Sequence, residues 1–188
     1  MNSVVRAVAW SQLFLYGGLL LCVLLKPAGL AANDGISYFG IFRVTFVPYA
    51  IGLLGSAYFC RQTANNLRGS NLGPVRLVMS AVATLTVIIV LTPYAAGRWV
   101  DDTHTTCGSI LFILQLLLSG WLIVRLRYIW WSIALSLAEL AGGILSAIYL
   151  GPLHGFLFQS QVLFQLAFGT LLVLSLRALP VPASQHVS

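Results

Sequence analysis

Glu139 stands alone inside a long apolar run, one of only four acidic residues in a chain of 188. A carboxylic acid enclosed by apolar surroundings favours its neutral form, and a neutral acid can give a proton to a substrate. Asp101, Asp102 and His104 fall together in the link between two other apolar runs, with Gly108 four residues past the histidine. If a helix begins in that link, Asp101, His104 and Gly108 share one face of it. An aspartate also suits a helix start, where its carboxylate accepts unpaired N–H groups and meets the positive helix end. Capping does not account for His104. These four residues, Glu139, Asp101, Asp102 and His104, form the candidate catalytic set, with Glu139 as acid and the others as partner or relay.

Further polar residues recur at helical spacing. Ser132, Ser136, Glu139, Gly142 or Gly143, and Ser146 make one small, polar face. His154, Gln161, Gln165 and Gly169 make a second, and His104, Gly108, Gln115 and Ser119 a third. Counting rises from each helix end places Glu139 roughly 15 Å from either membrane surface. Gln115 and Gln165 fall at comparable depth, so a hydrogen-bonded layer of one Glu and two Gln is expected. His104, His154 and Asp34 lie toward one surface, which suggests a cavity narrowing from there to Glu139. Asp34, Gln115, His154, Gln161 and Gln165 are the candidate substrate-binding residues. Packing between helices is the plain alternative for the glutamines, and a headgroup-facing position for His154.

The elements that must hold these residues are membrane helices. The chain is 59% hydrophobic and 7% charged, with a mean hydropathy of +0.94, whereas soluble chains carry roughly 25% charged residues. Its apolar runs are continuous rather than alternating, which excludes a transmembrane barrel. The expected fold is all-α: one polytopic bundle of six transmembrane helices, at about 7–25, 45–60, 75–92, 105–125, 128–150 and 154–176. Arg6 before the first run also fits a signal peptide, but the run exceeds the roughly 7–15 apolar residues of a signal core and reads as a span. Pro93 is expected to end the third helix, and Pro48 to sit in the opening turn of the second.

An even number of spans puts both termini on one side. Arg6, Arg61, Arg68, Arg76, Arg125, Arg127 and Arg177 fall there, and Lys26, Arg43 and Arg98 on the other. That bias predicts an N-in, C-in protein of the cytoplasmic membrane. The formal net charge of +6 comes from arginines scattered singly between apolar runs, a topology signal rather than a nucleic-acid surface. Tyr128, Trp130 and Trp131, and Tyr94 and Trp99, suit the aromatic belts.

No nucleotide, redox or protease signature is present, and no cofactor is expected. Gly17-Gly18 and Gly142-Gly143 are packing glycines, because no Lys-Ser/Thr and helix start follow them. Cys22, Cys60 and Cys107 have no metal-ligand spacing and imply no disulfide framework. Zinc held by His104, His154 and an aspartate would lack a local spacing signature. A Ser-His-Asp hydrolase is not signalled either, since no nucleophile elbow occurs.

Two resemblances extend these readings. Thr92-Pro93, Asp101-Asp102-Thr103-His104 and Gly108, entering an apolar helix, are similar to a Pro...Asp...His...Gly element of uncharacterised bacterial six-span membrane proteins. Ile36-Ser37-Tyr38-Phe39-Gly40 resembles the Ile-Ser-x-x-Gly run of their first outer loop. This resemblance implies six spans and carries no activity with it. In size, span number and sparse buried acids the chain also resembles the small integral membrane terpene cyclases of bacterial and fungal pathways. That likeness of architecture implies acid-initiated cyclisation of a prenylated molecule, with aromatic faces steadying a carbocation. The expected partner is therefore a hydrophobic, lipid-soluble small molecule within the membrane. The alternative is a non-catalytic accessory or transport-like protein whose polar layer serves packing.

Overall fold

A computed structural model describes residues 3–94, 96–150 and 155–179. Six α-helices follow one another among these residues: α1 (Ser3–Leu25), α2 (Arg43–Asn66), α3 (Gly73–Leu91), α4 (Arg98–Arg125), α5 (Trp130–Leu150) and α6 (Leu157–Ala178). Two short 3-10 turns, Pro27–Ala31 and Gly35–Gly40, join α1 to α2. No strand occurs among the described residues. The protein is an all-α bundle.

Five of the helices, α1 and α3 to α6, are long and apolar enough to cross a membrane. The sixth, α2, spans 24 residues but carries Arg43 at one end and Arg61, Gln62, Asn65 and Asn66 at the other. The perimeter is apolar: Leu13, Leu20, Val47, Ile51, Leu117 and Leu137 are among its exposed side chains. A soluble monomer rarely exposes that much contiguous apolar surface, and lipid is the solvent that suits it.

Prolines and glycines set the breaks. Pro74 occupies the first turn of α3, where its missing N–H costs nothing. Pro93 follows the end of α3 at Leu91, as the sequence predicts. Pro48 lies within α2 rather than in its opening turn, because the helix begins two residues earlier than expected. α4 differs most. It begins at Arg98 and runs 28 residues, two turns ahead of the expected start near Thr105. Nothing between Arg98 and His104 disfavours a helix; the break is Gly97, whose φ of 134° suits only glycine.

Two close approaches hold the bundle together. A Cβ on Gly18 of α1 would strike the backbone of Gly52 and Pro48 of α2. A Cβ on Gly142 of α5 would meet Phe164 N at 2.7 Å and Ser160 O at 2.9 Å on α6. Small residues at such crossings are how membrane helices gain packing without a hydrophobic drive between them.

The apolar core is divided. One cluster, including Val5, Leu72, Met79, Leu122, Leu171 and Leu176, fills the half nearer the described ends of the chain. The other, including Leu19, Phe39, Tyr49, Leu53, Val90 and Phe158, lies against the two short turns. Between and beside them the structure is hollow.

Candidate functional site

A cavity of about 380 Å³ is lined by residues of all six helices and of the α1–α2 link. At one end it meets Asn33, Asp34 and Ser37 of the link, with Tyr94 and His104. At the other it reaches Ser11, Gln12, Ser56, Gln115 and Gln165, in the middle stretches of their helices. Leu53, Met79, Val82, Leu111, Phe112 and Phe168 give it mainly apolar walls.

The link end is held in place by hydrogen bonds between parts of the chain far apart in sequence. Gln161 Oε1 accepts the Ile36 N–H at 2.8 Å. Gln159 Nε2 donates to the Leu30 carbonyl at 2.8 Å, and Asn33 Oδ1 accepts the Gly155 N–H at 3.2 Å. Gly35 takes φ +58°, and a Cβ there would overlap the Gln161 amide. These bonds seat the 3-10 turn Gly35–Gly40 on the start of α6 and direct Ser37 to the cavity wall.

His104 is buried on α4. Its Nδ1 lies 2.6 Å from the Thr92 carbonyl, and its Nε2 lies 2.7 Å from Ser37 Oγ. A carbonyl oxygen only accepts, so Nδ1 carries the proton, Nε2 presents its lone pair, and the Ser37 hydroxyl donates to it. The Tyr94 ring packs edge-on against the imidazole with centroids 5.9 Å apart.

Both ring nitrogens are therefore taken, and neither aspartate is the partner of His104. Asp101 lies in the first turn of α4, where its charge suits the helix end, but Gly97 is the N-cap and no side chain caps the helix. Its Oδ1 is buried without a partner among the described residues. Asp102 is exposed and pairs loosely with Arg98 at 4.0 Å. The expected cap is absent because α4 starts three residues before Asp101. Asp34 precedes the turn Gly35–Gly40 without a side-chain cap bond and lines the cavity mouth. His154 lies outside the described residues.

The expected layer of one Glu and two Gln is split in two. Gln115 and Gln165 pair through reciprocal amide bonds of 3.1 and 3.0 Å, which leaves each a second N–H and lone pair, and both line the cavity. Glu139 is fully buried and accepts from Ser119 Oγ at 2.5 Å, one turn of α4 beyond Gln115. Its other oxygen has no partner among the described residues, and the carboxyl is not on the cavity wall. The small face of α5 is as the spacing implies: Ser132, Glu139, Gly142 and Ser146 are its buried residues. Ser146 joins Ser160 of α6 at 3.0 Å. The glutamine pair thus belongs to the cavity wall and Glu139 does not.

Sequence reasoning passed over four residues of the wall, Ser11, Gln12, Ser37 and Ser56. Ser37 reads locally as an interfacial loop residue, and its partner lies 67 positions away. Ser11 and Ser56 join α1 to α2 at 2.9 Å, with Cys60 at 3.2 Å from Ser11. Gln12 lines the cavity with its Oε1 unpartnered among the described residues, packed over Gly169, where a Cβ would collide with its amide. The only available signal for the last is a small residue on α6 matched to a long polar one on α1, which no local pattern links. The three cysteines are free. Among the described residues no three His, Cys, Asp or Glu side chains gather to hold a metal.

No protein-family model, curated protein or solved structure matches this chain.

Proposed function

We infer that this is a six-span protein of the cytoplasmic membrane, both termini inside, that takes up a lipid-soluble small molecule in the cavity among its helices. The span count rests on the 24 residues of α2, about 36 Å at helical rise, which are long enough to cross with α1 and α3 as neighbours. The orientation rests on the arginine bias toward the side of the termini. The cavity carries the functional reading. Its volume of about 380 Å³ falls among small-molecule sites, which pair apolar walls with a few placed polar groups. Here those groups are Gln12, Gln115, Gln165, Thr86 and the Ser37–His104 pair.

Acid-initiated cyclisation of a prenylated compound is the narrower version of this reading, and the geometry favours it less. Protonation needs the acid against the substrate, and Glu139 bonds to Ser119 and does not line the cavity. The geometry favours binding, with Glu139 serving the packing of α5 against α4.

The test is equilibrium binding of a fluorescent prenyl alcohol to the purified chain in detergent. Gly108 lines the cavity, and a side chain there meets open space. Gly108→Phe should fill the hollow without disturbing the backbone. Saturable binding by the native chain and its loss in this variant are expected; equal binding by both would refute the assignment.

A further inference from the structure

The mouth of the cavity holds a hydroxyl, a base and an orienting acceptor in series. Ser37 Oγ is 2.7 Å from His104 Nε2, and His104 Nδ1 is 2.6 Å from the Thr92 carbonyl. Thr92 is the C-cap of α3, where carbonyls lack an intrahelical partner and Pro93 prevents the helix from continuing. That carbonyl fixes the ring and its tautomer, which leaves the Nε2 lone pair directed at the serine. Nucleophilic hydroxyls are recognised by this relation, a base within hydrogen-bond reach that is itself held by a third group, and not by sequence order. The Tyr49 phenol is buried and lines the same wall.

We propose that Ser37 and His104 form an acyl-transfer centre that cleaves a carboxylic ester of a lipid-soluble acid, with the acyl chain lying in the apolar cavity. Ser37 Oγ bonds to the ester carbonyl carbon while its proton passes to Nε2 of His104. The carbonyl π pair moves onto oxygen, where a donor is needed, and the Tyr49 O–H on the same cavity wall is the group assigned to it. Collapse of this adduct breaks the bond to the alcohol oxygen, which leaves with the proton from Nε2, and the acyl group stays on Ser37. Water then adds to the acyl-serine, giving its proton to Nε2. The carboxylic acid departs and Ser37 recovers its hydrogen. The sum is ester plus water giving acid plus alcohol.

The idea rests on the cavity being a binding site, so the experiment separates the two. The full chain in detergent micelles is treated with an alkyl fluorophosphonate, and the labelled peptide is identified by mass spectrometry. A parallel sample receives the fluorescent prenyl alcohol. Labelling at Ser37 is expected, absent in Ser37→Ala and slowed about a hundredfold in His104→Gln, the size of a lost general base. Should His104→Gln fail to fold, the site of labelling in the native chain decides, because the probe needs an activated hydroxyl. A folded chain that binds the alcohol but stays unlabelled at Ser37 overturns the acyl-transfer centre alone. A chain that takes neither probe overturns it together with the binding reading.

Discussion

The two buried polar centres of this bundle are built differently. At the link end, His104 spends both ring nitrogens on groups from different parts of the chain, Ser37 and Thr92, and faces a cavity. Deeper in, Glu139 has among the described residues a single partner, Ser119 on α4, and an oxygen left over, and it does not line the cavity. A buried polar group with every valence met ties elements together in one geometry, whereas a half-met one costs stability and fixes little. Depth alone, which made Glu139 the conspicuous residue, does not pick out a site. Exposure to a cavity does.

The contrast can be broken at several points. The largest effect is expected at neither centre but at the crossing that holds the small face of α5 against α6. Gly142→Leu would drive a side chain into the Phe164 and Ser160 backbone, costing about 3 kcal/mol or more. Loss of monodisperse protein on size exclusion would be its signature; a native profile would mean that α5 is free to move away.

His104→Ala comes next. It strands the Ser37 hydroxyl and the Thr92 carbonyl together, at roughly 2 kcal/mol. A lowered melting temperature with faster hydrogen exchange in residues 35–40 is expected. An unchanged melt would mean that the pair ties nothing.

A smaller effect is expected at the glutamine pair. Gln115→Leu and Gln165→Leu each leave one amide without its mate, while the double variant removes both. The thermodynamic cycle should give a coupling of about 1 kcal/mol. Strict additivity would dissolve the pair.

The smallest effect is expected at the acid itself. Glu139→Gln keeps shape and still offers an oxygen to Ser119, so stability should change by under about 1 kcal/mol, and prenyl alcohol binding should hold. Loss of binding with folding retained would restore Glu139 to the site and reverse the comparison.

Much of the architecture was legible in the sequence, because continuous apolar runs and prolines are local signals. The helix starts were less so. α4 gained two turns since Arg98 to His104 is polar and yet helical, and polarity was a poor guide to where the helix itself ends. The small face of α5 was readable from Ser132, Glu139, Gly142 and Ser146, whose spacing is a property of one helix. What that face meets was not. Spacing gave Gln115, Gln165 and Glu139 similar depth, but which two of the three pair is decided by how helices rotate against one another. Ser37 was the hardest to find, because its meaning comes from a histidine on α4 and a carbonyl at the end of α3.

The central claim is that a lipid-soluble molecule occupies the hollow between the helices, and the most direct measurement locates it. A diazirine-bearing prenyl alcohol, photolysed with the chain in liposomes, should cross-link to wall residues such as Leu111, Phe112 and Phe168, with those adducts lost in Gly108→Phe. Adducts confined to lipid-facing positions such as Leu117 and Leu137, and unchanged by Gly108→Phe, would contradict the account.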